Sequence, residues 1–209
     1  MQVPITLYAE MTPNPATMKF VSNKHLVLSD NNIVFDSIDQ AKGYSPLAEA
    51  LFNFPFVDGV FMASNFITVT KTDNIDWDFI IMELREFIRE WLANGKEVLI
   101  RMPEPGGSPN IENSTSDTTN SSGTTSIRRD FSPTEHDNEI VALLNEYVRP
   151  AVENDGGAID FIGFEEGKVF VELKGSCAGC PSSTATLKGG IETLLKSNMP
   201  SVEEVVALM

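Results

Sequence analysis

The stretch "PEPGGSPNIENSTSDTTNSSGTTSIRRD", residues 103–130, constrains this chain more than any other feature. It is made almost wholly of Pro, Gly, Ser, Thr, Asn and charged residues, and it cannot bury enough apolar surface to offset the entropy of ordering it. A structureless loop of that length inside one compact domain is uncommon. It reads as a flexible linker over residues 102–130, with an end-to-end distance of roughly 30 Å. A first domain is expected over residues 3–101 and a second over residues 131–209. The 209 residues suffice for two small domains.

Within the first domain, "MKFVSN" and "NNIVFDS" have the pattern of short strands, with Asp30-Asn31-Asn32 as turn chemistry. "SPLAEALFN" predicts a helix with Ser45 as N-cap and Pro46 at its first position. "GVFMAS" and "NFITVTK" predict paired strands joined at Ser64-Asn65. Ile80, Leu84, Phe87, Ile88, Trp91 and Leu92 recur at helical spacing, and Gly95 is placed to stop that helix. The segment Pro13-Asn14-Pro15 predicts a turn leading into a strand, and a contact with a partner is a second use for it. This domain holds no cysteine and no cluster of His with carboxylates.

The second domain is punctuated more sharply. "SPTE" offers Ser132 as N-cap, Pro133 at the first helical position and Glu135 as the capping-box acid. Ile140, Leu143, Leu144, Tyr147 and Val148 form an apolar stripe. Pro150 deprives Glu146 of a helical hydrogen-bond donor, so that helix must kink or end. "IDFIGF" and "KVFVELKG" predict a hairpin closed by "EEG". "PSSTATLKGGIETLLKS" predicts a second helix with Leu187, Ile191, Leu194 and Leu195 on its buried face. Gly189-Gly190 costs that helix roughly 1 kcal/mol per residue relative to Ala, and close approach of another backbone would compensate. "VEEVVAL" closes the chain as a third strand. The order α-β-β-α-β defines an α+β fold, and the whole chain is expected to be two small α+β domains.

Both cysteines of the chain stand in "GSCAGCPSST", at Cys177 and Cys180, in the loop between strand and helix. They could be small core residues in a turn. They could be a dithiol redox pair, although such pairs normally follow a strand of a βαβ unit and here a hairpin precedes them. They could also be half of a thiolate metal site, for structural zinc or for an iron–sulfur cluster, either of which wants four soft ligands. His25 and His136 are far away in sequence, and the simplest completion is a second copy of the chain across a two-fold axis. Pro181 at the helix start would place Cys180 near the positive end of the helix dipole, which favours thiolate. Backbone N–H groups around Gly179, Ser182 and Ser183 could donate to the sulfurs. Lys174 and Lys188 add nearby positive charge in a chain with a formal net charge of −15.

That net charge argues against nucleic acid and anionic membrane as partners. No apolar run approaches the ~20 residues that span a bilayer. The opening "MQVPITLYAE" has neither a secretory nor an Arg-rich amphipathic pattern. With only two closely spaced cysteines, no disulfide framework is expected, and a reducing, cytoplasmic setting is the expectation. Nothing in the motifs supplies a catalytic base, oxyanion hole or substrate pocket, so a binding protein is expected rather than an enzyme.

The segment "VRPAVENDGGAIDFIGFEEGKVFVELKGSCAGCPSSTATLKGGIETLLK" resembles the C-terminal domain of the NifU family: Arg-Pro, Asp-Gly-Gly, a hairpin, then G-x-C-x-x-C-P-S-S with Thr-Leu-Lys and Gly-Ile behind it. "TPNPATMKF", "SPLAEALF" and "NFITVTK" resemble the N-terminal domain of Nfu-type proteins. The resemblance implies an iron–sulfur cluster scaffold or carrier that binds a cluster, [4Fe-4S] more than [2Fe-2S], between two protomers. It implies Cys177 and Cys180 as the ligands, with client apo iron–sulfur proteins and upstream scaffolds as partners. Asp155, Gly156 and Gly157 match the family's Asp-Gly-Gly turn, for which a helix C-terminus with a positive-φ glycine is the structural reading. Many members carry an acidic residue directly after this turn; Ala158 stands here, which argues against a ligand at that position. The first domain is then a module for recognising clients or upstream scaffolds.

Overall fold

The computed structural model describes residues 4–28, 32–103, 131–178 and 181–208, with the side chains of 181–184 left out. The expected linker beyond residue 103, the Asp30-Asn31 part of the expected turn, and Gly179 and Cys180 lie outside the described residues.

The first sheet is antiparallel, in the order β1-β2-β5-β4-β3. Its strands are β1 (Leu7–Met11), β2 (Thr17–Ser22), β3 (Asn32–Phe35), β4 (Val57–Ala63) and β5 (Phe66–Lys71). β1 had no counterpart in the sequence reading. It is an edge strand whose burial shows no clean alternation, so the period-2 signal is weak there. Three helices accompany the sheet: α1 (Ile38–Ala41), α2 (Pro46–Leu51) and α3 (Trp77–Ala93). The Ser45 hydroxyl accepts from Ala48 N–H at 3.1 Å, as its position before Pro46 predicts. The α3 helix ends at Gly95, with φ +67, where Lys96 N–H reaches back to Trp91 C=O at 3.3 Å. That six-to-one bond is the glycine stop expected from sequence. Ser64, at φ +44, turns β4 into β5. Ile80, Leu84, Ile88 and Leu92 of α3 pack with Met18, Phe20, Val60, Met62, Ile67 and Val69 to form the first core.

The second unit begins with α4 (Asp137–Leu143), followed by a π-turn at Leu144–Val148 and α5 (Arg149–Asn154). The expected cap at Ser132 is four residues early: His136 holds the cap position, and no side chain caps the helix. Just ahead of the helix, the Asp137 carboxylate accepts from both the N–H and the hydroxyl of Thr134, and neither Ser132 nor Glu135 takes part. Pro150 does not end the helix. Arg149 N–H bonds five residues back to Leu144 C=O, and this wide turn absorbs the missing donor before the helix resumes. The strands are β6 (Gly157–Glu165), β7 (Lys168–Gly175) and β8 (Glu204–Leu208), in the order β6-β7-β8. β6 and β7 are antiparallel through a two-residue turn at Glu166-Gly167, φ +48 and +76, while β8 runs parallel to β7. The crossover between β7 and β8 is α6 (Pro181–Asn198), whose Ile191 and Leu195 close the second core.

The two units touch. Every residue of β2 is buried, so the sheet is covered on both faces. The face away from α3 carries Val21, Phe61, Ala63 and Phe66, which cluster with Ala158 of β6.

Candidate functional site

The loop that begins at the end of β7 is built on glycine. Gly175 has φ +64, and Ala178 N–H bonds back to its carbonyl at 3.1 Å, turning the chain through Ser176-Cys177. Cys177 is only 5% exposed and belongs to the second hydrophobic core although it lies in the loop. The physical reason is opposite it. A Cβ on Gly157 would lie 2.7 Å from the Cys177 sulfur and 2.6 Å from Lys174 C=O, so the missing side chain is what lets the sulfur fold inward.

The Asp155-Gly156-Gly157 turn is stitched to this loop through its backbone. Asp155 caps α5, and Gly156, at φ +82, donates back to Glu153 C=O at 3.0 Å. Gly156 C=O accepts from Ser176 N–H at 3.2 Å, and the Ser176 hydroxyl donates to Asp155 C=O. The helix-terminus reading of this turn therefore holds. Ala158 is buried against Phe61 and Phe66 of the first unit, where a carboxylate would sit among phenylalanines.

The two lysines expected to add positive charge are already engaged. Lys174 lies 2.6 Å from Asp160 and 3.1 Å from Glu172. Burial works against its charge, but the Asp160 hydrogen bond and the two carboxylates outweigh that and hold its pKa above the ordinary lysine value. Lys188 pairs with Glu204 at 3.4 Å. His136 packs edge-on against Phe164, and His25 is exposed. Among the described residues, no three His, Cys, Asp or Glu side chains are grouped to hold a metal ion. The helix after the loop starts at Pro181 as expected. Cys180, directly before it in sequence, and the Gly179 N–H lie outside the described residues.

Sequence reasoning passed over what the first unit brings to this place. Asn14 donates its side-chain amide to the carbonyls of Ser176, at 3.2 Å, and Ala178, at 3.5 Å. Thr68 donates to Gly156 C=O at 2.7 Å, and Lys19 to Asn154 C=O at 3.1 Å. Only Asn14 carried a signal, from the prolines on both sides of it. Lys19 and Thr68 look like ordinary outward residues of two strands.

This is a two-unit α+β protein with a small thiol-bearing loop joined to the end of a three-stranded sheet. The comparisons give the family. Residues 7–95 match the family described as "Scaffold protein Nfu/NifU N terminal", and residues 140–206 match the "NifU-like domain". A NifU-like protein of Schizosaccharomyces pombe is 33% identical over 211 residues, an alignment covering 98% of this chain and 73% of that protein. The "NFU1 iron-sulfur cluster scaffold homolog, mitochondrial" of Drosophila ananassae is 34% identical over 198 residues, 93% of this chain and 61% of the fly protein. A solution structure of a NifU-like protein from Saccharomyces cerevisiae, 25% identical, covers 48% of this chain and 89% of its own with a TM-score of 0.43. The chain belongs to the NifU-like family. It spans less than two thirds of the length of several of its relatives, the fly protein among them.

The same comparisons correct the expected compartment. Relatives whose names carry a location are mitochondrial, which overturns the cytoplasmic expectation. A pair of closely spaced cysteines bears on the redox environment and not on the membrane that encloses it, so cysteine usage could not separate the two.

Proposed function

We propose that this chain is an iron–sulfur cluster scaffold or carrier that receives a cluster as cargo, [4Fe-4S] in preference to [2Fe-2S], and hands it to client apoproteins without catalysing a reaction of its own. Cys177 and Cys180 are the ligands, and a second copy supplies the other pair. The observation that carries this reading is the C-x-x-C motif in the sequence between β7 and α6, in a chain of the NifU-like family whose Ser176, beside Cys177, bonds to the Asp-Gly-Gly turn. The donor chemistry suits iron: both side chains are soft thiolates when deprotonated, and four such ligands hold a cluster. The buried Cys177 sulfur also sets a requirement, since the loop must turn outward before it can bind. The 102–130 linker leaves the first domain tethered while this happens, and that domain is a recognition module for clients or upstream scaffolds.

The test is anaerobic reconstitution of the full chain with iron and sulfide, with iron, sulfide and molecular mass measured together. One cluster per two chains is expected, and a loaded monomer holding four irons would overturn the shared site. Cys177→Ser and Cys180→Ser should each abolish stable loading, because a serine oxygen is a harder and poorer ligand for iron. Wild-type cluster retention by either variant removes that residue from the ligand set.

A further inference from the structure

We infer that the outer face of the first sheet is a cover for the cysteine loop, closed on the cluster-free chain and displaced when a cluster bridges two copies. The displacement rests on the cluster reading above; the cover itself does not.

The contacts are made to backbone. Asn14 reaches the carbonyls on both sides of Cys177, Thr68 reaches Gly156 C=O, and Lys19 reaches Asn154 C=O. Lys19 meets the last residue of α5, where the helix presents unpaired carbonyls and the negative end of its dipole. Such a surface recognises the shape of the turn and the loop together, in the one conformation in which the Cys177 sulfur points at Gly157. Asn14 is held ready for this. Its side-chain oxygen accepts from Ala16 N–H at 3.0 Å, which aims the amide nitrogen at the loop, and proline stands on each side. Beside the polar contacts, the Phe61 ring lies where a Cβ on Gly175 would come within 2.9 Å of it.

The same face excludes a second copy. A cluster held by two chains requires the two cysteine loops to approach each other directly, and the Pro13-Asn14-Pro15 turn occupies the approach to residues 176–178. The seam is also built to part. Beside an interdomain crevice lined by Asn32, Ala63, Ser64, Arg149 and Glu153, the Asn32 Oδ1 and the Arg149 Nε are buried without a hydrogen-bond partner. Both regain water when the units separate, which offsets part of what the cover loses.

The experiment measures the alkylation rate of Cys177 by iodoacetamide in the cluster-free full chain, located by fragment mass spectrometry. Asn14→Ala removes both side-chain contacts to the loop and Thr68→Val the one to its turn, and each should speed alkylation roughly five- to tenfold. Far-UV circular dichroism establishes that the variants are folded, and X-ray scattering should show a larger radius of gyration in the double variant. Reconstituted wild-type chain should show the same separation of the two units. Unchanged alkylation and unchanged scattering in the folded double variant would overturn the cover, even if the chain loads a cluster normally. Failure of every form to load a cluster, with alkylation still accelerated, would instead overturn the proposed function and with it the displacement, leaving the cover standing. A cover that remains closed in loaded dimer would refute the displacement alone.

Discussion

Two of the chain's glycine pairs, Gly156-Gly157 and Gly189-Gly190, look alike in sequence and behave as opposites. Gly156-Gly157 sits in a crowded place: one residue has φ +82, and a Cβ on the other would strike a carbonyl and a sulfur below 3 Å. Gly189-Gly190 lies in the middle of α6, exposed, with nothing within 4 Å of either position. The expected close approach of another backbone to that helix turn is therefore absent, and its propensity cost stands uncompensated in the described structure. Glycine in the first pair is required by space and by backbone angle. In the second, neither reason applies.

Substitution should separate the pairs in sign as well as size. The largest effect is expected from Gly157→Ala, whose new methyl meets both Lys174 C=O and the Cys177 sulfur. We expect a loss of about 3 kcal/mol, at the upper end of overpacking costs, measured by urea unfolding of the full chain, together with lost cluster loading. A neutral Gly157→Ala would mean that the sulfur does not rest in this cradle.

Gly156→Ala should cost less, about 1–2 kcal/mol, because its penalty is the left-handed backbone angle. Gly156→Asn should recover part of that loss, since Asn visits this region more readily. Equal losses for Ala and Asn would shift the cause from backbone angle to crowding against Thr68, which a Cβ would approach at 3.0 Å.

Gly189→Ala and Gly190→Ala should each stabilise the chain, by roughly 1 kcal/mol or a little less. Thermal melts of the cluster-free forms would read this directly. A destabilised variant would overturn the reading that neither space nor backbone angle requires glycine here.

The smallest effect concerns Lys174, whose carbonyl forms one wall of the Gly157 cradle and whose ammonium pairs with Asp160 and Glu172. Its pKa is raised in the fold, so the pair's contribution is fully present below the unfolded lysine value of about 10.4. It is lost as pH rises through the higher folded value. Wild-type stability should fall across that alkaline window by more than that of Lys174→Met. Parallel pH curves for the two would leave the carbonyl as the residue's only role at the site.

Much of this protein was legible before its structure because the signals were local. Ser45 before Pro46, Gly95 after Leu92 and Gly167 after Glu166 fix helix ends and a turn through backbone angles and caps that depend on a few neighbouring residues. The C-x-x-C pair, the Asp-Gly-Gly turn and the α-β-β-α-β order were equally visible, and they carried the family resemblance with them. One local signal misleads: "SPTE" offers a cap at Ser132, yet the helix starts at Asp137 behind His136 with no side-chain cap hydrogen bond. What lay beyond the sequence is everything decided by approach from a distance. Whether Cys177 points into the core, whether Lys174 faces the loop or a carboxylate, and whether Thr68 is an outward threonine or a donor to Gly156 each depend on groups brought together from far along the chain. The same holds for the glycine pairs. A sequence records that a side chain is missing, and only the packed structure determines what fills the space.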